Sequence, residues 1–259
     1  MKKLLAAMVL LVAIAAFSSA AYWLWQDKPA GEQQAAVTPD GTEPEAPAAK
    51  QPQSLTTLFP RTEEFDFEAP VPGTYELPIL KLAGDGNVID HDGRESTLFE
   101  EFDGKISLLS FIYTSCNDAD GCPLATGLLF EIFHASEQSP ELAANTKLVT
   151  LSFDPSHDTP AMMKVYGQSA LEDEKRDKKM QWRFLTSSSN DQLQPILDKY
   201  SQAVNLAKDN ETINHLLRLY LIDRKGRIRN VYGLGFMDPR LLLADIETLL
   251  MEEAQEKGS

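Results

Sequence analysis

Apolar and polar positions divide the chain into three regimes. Leu4 to Trp25 is an apolar run of 22 residues, preceded by Lys2-Lys3 and free of charge until Asp27. That length spans a bilayer as a helix, and the two lysines keep its start on the inner side. Phe17–Ala20 ("FSSA") offers a small-residue cleavage site. Apolar residues continue past it as "AYWLW", with Tyr22, Trp23 and Trp25 suited to the far interface. Residues 1–25 therefore read as an uncleaved anchor in preference to a cleaved signal peptide. From 26 to 72 the periodicity vanishes. Eight of the fifteen prolines fall between Pro29 and Pro72, among Ala, Glu and Gln. Such a segment cannot bury enough apolar surface to fold, and it reads as a disordered tether.

Pattern returns near Gly73. "KISLLSFIY" (Lys105–Tyr113) and "KLVTLSFD" (Lys147–Asp154) are apolar runs of buried-strand length, and "WRFLT" (Trp182–Thr186) is a shorter one. After Pro123, Leu124, Leu128, Ile132 and Phe133 recur at helical spacing. "DTPAMMKVYGQ" opens a second helix, with Asp158 or Thr159 as cap and Pro160 in the first turn. A third runs from about Asp191. "HLLRLYLID" and "RIRNVYG" flank the turn "RKG" as a hairpin, and a final helix starts at Asp238-Pro239. Alternation of strands with helices, ending in an antiparallel pair, predicts an α/β domain with a mixed central sheet flanked by helices. The domain spans residues 73–254, with 255–259 as a tail.

Charge narrows the function classes. The net charge is −15, from 24 basic and 39 acidic residues. Phosphate binding needs a basic face, so the acidic balance argues against nucleic-acid binding as a general role. An acidic surface serves solubility, and it also attracts cations or a basic protein partner.

The chemistry gathers in "SFIYTSCNDADGCPLATGLLFEIF" (Ser110–Phe133), where a strand meets a helix. It holds the only two cysteines, Cys116 and Cys122, and a proline follows the second. If the chain is exported, disulfides can persist in its compartment. Three uses of the thiols compete: a structural staple, a redox pair, or two ligands of a soft metal. A helix start lowers a thiol's pKa and predicts thiolate character at Cys122. Asp118 and Asp120 oppose ionisation but attract an incoming cation.

A cysteine pair at the end of the first core strand, followed by βα and a terminal ββα, resembles the thioredoxin fold. "FIYTSC" with "CP", "LSFDPSHDTP", "WRFLT" and "INHLLRLYLIDRKGRI", in that order, resemble one branch of it, the Sco/SenC family. The resemblance spans roughly residues 73–250. It implies an exported, membrane-anchored, thioredoxin-like protein that binds copper and assists assembly of the cytochrome oxidase copper site. Carried over by position, the family's metal ligands fall on Cys116, Cys122 and His215, and an acidic second-shell residue falls on Asp154. One departure stands out: the family usually has three residues between its cysteines, and here there are five, Asn117–Gly121.

Two thiolates select Cu(I), and an imidazole suits Cu(I) and Cu(II) alike, so the implied set holds either state. Thiol oxidoreductases of this fold usually carry a cis proline where this chain reads "ETINHLL" without one. The implied function is a copper chaperone or assembly factor, anchored to the inner membrane by its N-terminal helix and facing the periplasm. Its implied partner is the copper-binding subunit of an oxidase, or another copper protein. The alternatives are a thiol–disulfide oxidoreductase using Cys116 and Cys122 as a redox pair, and a redox or copper sensor.

Overall fold

The computed structural model describes residues 54–174, 179–206 and 213–258, with the backbone alone at 205, 206 and 213–215. The apolar segment expected to anchor the chain and most of the expected tether lie outside these residues. Among the described residues no helix is long and apolar enough to cross a membrane.

Two strands buried along their whole length make the centre, β4 (Ile106–Ile112) and β5 (Thr146–Ser152). They pair in parallel, with Leu108 opposite Leu148 and Phe111 opposite Leu151. β6 (Gln181–Thr186) continues the parallel set on the far side of β5. Burial on both faces explains the continuous apolar runs in place of alternation. Polar groups at the centre pair across strands: Ser110 shares a hydrogen bond with Thr150 at 3.1 Å, and the Trp182 indole donates to Thr150 at 2.9 Å.

The remaining strands attach antiparallel. β9 (Leu219–Ile222) pairs with β4, β10 (Arg227–Tyr232) with β9, and β1 (Lys81–Leu82) with β10. At the other edge β2 (Asn87–Asp90) pairs with β6 and with β3 (Glu95–Thr97). The eight-stranded order is β1-β10-β9-β4-β5-β6-β2-β3. The β9–β10 hairpin turns at Gly226, whose φ of +70° suits glycine.

Helices begin where the sequence supplies caps. Thr97 and Glu100 form a capping box on α1 (Leu98–Phe102). α2 (Cys122–Ala135) follows Gly121, with Pro123 in its first turn. Ser139 caps α3 (Pro140–Asn145). Thr159, and not Asp158, caps α4 (Pro160–Tyr166), and α5 (Gln168–Glu174) follows it directly. Ser189 caps α6 (Asn190–Tyr200), and α7 (Pro239–Gly258) ends the fold.

Three expectations change. The tether does not run free to residue 72, because Ser54 and Leu55 are held on α7. Ser54 Oγ and the Leu55 amide donate to Glu247 at 2.7 and 2.8 Å, and Leu55 is buried. Closer to the domain, Arg240 donates to the Phe65 carbonyl at 2.6 Å and lies over the Phe67 ring. The last helix extends to Gly258 and absorbs most of the expected tail. The hairpin strand expected to open at His215 begins at Leu219. His215 instead ends β8 (Ile213–His215), which pairs with β7 (Val204–Leu206) in a separate two-stranded sheet.

Candidate functional site

The C-terminal end of β4 carries the first thiol and the start of α2 the second. After Tyr113 the chain turns, with the Cys116 amide donating to the Tyr113 carbonyl at 3.2 Å. The loop then folds on itself. The Gly121 amide donates to the Asp118 carbonyl at 2.9 Å, and the Asp120 amide to Asp118 Oδ1 at 3.2 Å. This returns Cys122 to Cys116, and a side-chain hydrogen bond joins the two thiols. A Cβ at Gly121 would lie 3.2 Å from Cys116 Sγ and 3.1 Å from the Asp118 carbonyl, so glycine lets the loop close this tightly.

The thiols have different surroundings. Cys122 is 1% exposed and Cys116 is 9% exposed. Burial pushes the Cys122 thiol up to about 12, the Cys116 sulfur adds to the rise, and backbone hydrogen bonds at Tyr113 and Cys122 act against it. The thiolate expected from the helix start therefore does not form at neutral pH, because desolvation outweighs the helix dipole. Cys116 lines an open cavity of about 880 Å³ with Asp118, Asp120 and Gly121; Ser201 and Leu216–Arg218 also line it.

A buried carboxylate fixes the turn that presents Cys116. Asp158, 1% exposed, accepts from the Thr114 amide at 3.0 Å, from the Thr114 hydroxyl, and from the Ser152 hydroxyl at 2.5 Å. It thereby ties the residues before Cys116 to the end of β5. Asp154, the expected second-shell residue, turns to its own loop, accepting from Ser156 Oγ at 2.8 Å and facing His157 Nδ1 at 2.8 Å. Tyr166 closes the other side. Its hydroxyl shares a 2.7 Å hydrogen bond with Thr126 on α2, and burial raises its phenol to about 12, with both cysteines and Asp158 adding to the rise. Sequence reading weighed Asp158 only as a cap and missed Tyr166, because their contacts with Thr114 and Thr126 join residues 44 and 40 positions apart.

His215 ends β8 one residue before Leu216, which lines the cavity with Cys116; the His215 side chain lies outside the described residues. Among the described residues no three His, Cys, Asp or Glu side chains form a ready metal cluster. The other histidines sit elsewhere. His157 and His134 are exposed. His91 is buried against Phe184 with Nδ1 lacking a hydrogen-bond partner, because the β2 turn folds onto the core.

The SCO1/SenC family profile matches residues 80–251, well over half of the chain. The chain belongs to the SCO1/SenC family. Among solved structures, it is similar to copper-bound ScoI of Arabidopsis thaliana (21% identity, TM-score 0.55, covering 66% of this chain and 99% of that one). Copper-bound ScoI of Bradyrhizobium japonicum is 26% identical with a TM-score of 0.51, covering 64% and 98%. BsSco, described as a member of the Sco family of cytochrome c oxidase assembly proteins with a disulfide switch, is 18% identical with a TM-score of 0.53, covering 68% and 98%. Comparison with curated proteins gives no match. The fold of this SCO1/SenC protein is thioredoxin-like, with its thiols at the β4–α2 junction.

Proposed function

We propose that this SCO1/SenC protein binds one copper ion through Cys116, Cys122 and His215, as Cu(I) or Cu(II), and passes it to the copper-binding subunit of a respiratory cytochrome oxidase or to another copper protein. The observation that carries the reading is the pair of mutually hydrogen-bonded thiols at an open cavity that Leu216, the residue after His215, also lines. The donor set fits the metal: sulfur selects Cu(I) and imidazole accepts either state. Family membership, and the copper named for the Bradyrhizobium relative, support it. Copper is cargo here, so a thiol at the wall of an open cavity, where a partner's ligand can reach it, suits the task better than a closed cage. Cys116 supplies that access. Cys122 must lose its proton to bind, so affinity rises with pH.

The N-terminal apolar run would anchor the protein in the inner membrane with the domain in the periplasm, within reach of a membrane-bound oxidase. Its proline-rich stretch sets that reach.

A second reading has its own support. Cys116 faces the cavity while Cys122 is buried and neutral, the division of labour of an attacking and a resolving thiol in disulfide exchange. Competitive Cu(I) titration of the full chain in neutral detergent separates the two. The copper reading predicts one-to-one binding that is lost in Cys116→Ser and Cys122→Ser and weakened by His215→Ala. No binding by the intact chain, with disulfide exchange that survives His215→Ala, establishes the second.

A further inference from the structure

The cavity at Cys116 has a charge layout that neither thiol chemistry nor metal binding requires. Asp118 and Asp120 line it on the cysteine side, and both are exposed. On β1, three strands from β4 in the sheet order, Lys81 Nζ donates to Ser201 Oγ at 2.9 Å, and Arg218 Nη1 donates to the Ser201 carbonyl at 2.9 Å. Those acceptors are neutral and leave both positive charges uncompensated by these bonds. The same cavity is lined by Leu80, Leu216 and Leu234, each about half exposed, and apolar side chains gathered at one cavity mark an interaction site. Lys81 and Leu82 form the edge strand β1, which pairs with β10 on one side only. An edge strand accepts an extended segment.

We infer that this groove receives an extended, thiol-bearing segment of a partner protein, with a basic residue next to its cysteine, apolar residues in the middle and an acidic residue at the far end. The basic residue faces Asp118 and Asp120 when the partner's sulfur reaches Cys116, and the acidic one faces Lys81 and Arg218. The inference rests on the reading of Cys116 as the exchanging thiol, and it adds the partner's recognition chemistry. Both aspartates belong to the Asn117–Gly121 loop between the cysteines, so that loop becomes a specificity element.

The test uses the reduced full chain in neutral detergent and two synthetic peptides of equal length, each with one cysteine activated as a 2-thiopyridyl disulfide. One peptide has lysine beside its cysteine and glutamate at the far end, and the other has the charges exchanged. Cys116 sulfur attacks the peptide sulfur, a new disulfide forms, the old one breaks, and pyridine-2-thione leaves with the electron pair and takes up the proton. Its absorbance gives the rate. The lysine-adjacent peptide should react about five- to tenfold faster at low salt, with the advantage shrinking as salt screens the charges. Asp118→Asn with Asp120→Asn, which keeps the Asp118 acceptor for the loop, should abolish most of that advantage. Lys81→Glu with Arg218→Glu should shift preference away from the glutamate end. Each peptide rate is divided by the same variant's rate with neutral 2,2′-dithiodipyridine, which removes changes in thiol ionisation, folding or thiol damage and leaves recognition. Equal rates for the two peptides, or a preference untouched by the asparagine pair, would overturn the inference. Loss of copper binding elsewhere with the charge preference intact would sink the copper reading alone and leave the groove standing.

Discussion

At the residue scale, the two sulfurs divide their duties through solvation. Cys116 opens on the cavity and Cys122 sits behind it, kept neutral by burial although it starts a helix. Asp158 controls how the first of them is presented, since it alone binds both the amide and the hydroxyl of Thr114 and also ties them to Ser152. Replacing a buried multi-bonded acceptor leaves donors unsatisfied, at about 1–3 kcal/mol. Asp158→Ala should therefore lower stability by roughly that amount in denaturant unfolding and speed iodoacetamide labelling of Cys116 as the turn loosens. Unchanged stability and labelling would remove Asp158 from the site. The carboxylate was hard to place from sequence because a capping aspartate and a loop-holding aspartate look alike before "TP". Only the folded return of β5 beside β4 brings it to Thr114.

At the scale of elements, the site is a loop closed between a strand end and a helix start. The apolar runs of β4 and β5, the Pro-initiated helices and the β9–β10 hairpin are legible in the sequence because burial, capping and turn chemistry are local. The β7–β8 pair and the strap at Ser54–Leu58 are not, because each depends on a distant contact: His215 with Val204, and Leu55 with Glu247. The cysteine loop lies between these cases. Its five-residue length raised the question of whether the sulfurs could meet, and the tight turn at Gly121 answers it. Gly121→Ala should crowd Cys116 Sγ and the Asp118 carbonyl and cost about 1–3 kcal/mol as the neighbours shift. It should also weaken Cu(I) affinity measurably in competition with a chelator. Wild-type affinity in this variant would mean the loop has slack and does not set the sulfur positions.

The whole molecule carries a pH signature that comes from its core. Tyr166, Tyr200, Tyr220 and Tyr232 all have phenols raised by burial, and the Cys122 thiol is raised with them. Each raised acid favours the neutral form in the fold. Its contribution is complete below the unfolded pKa, about 8.5 for a thiol and 10 for a phenol, and it is lost as pH rises toward the folded value. Denaturant midpoints of the apo protein should therefore hold level through neutral pH and fall from about pH 9 upward, with tyrosinate absorbance appearing together with loss of circular dichroism. Tyrosines that ionise at their ordinary pKa within an intact fold would contradict this.

The central claim is that Cys116, Cys122 and His215 share one copper ion, and X-ray absorption at the copper edge of the Cu(I)-loaded full chain tests it most directly. The account predicts two sulfur neighbours and one imidazole per copper, with the imidazole signal lost in His215→Ala and one sulfur lost in Cys122→Ser. Copper surrounded by oxygen or nitrogen alone, or an imidazole signal unchanged in His215→Ala, would contradict it.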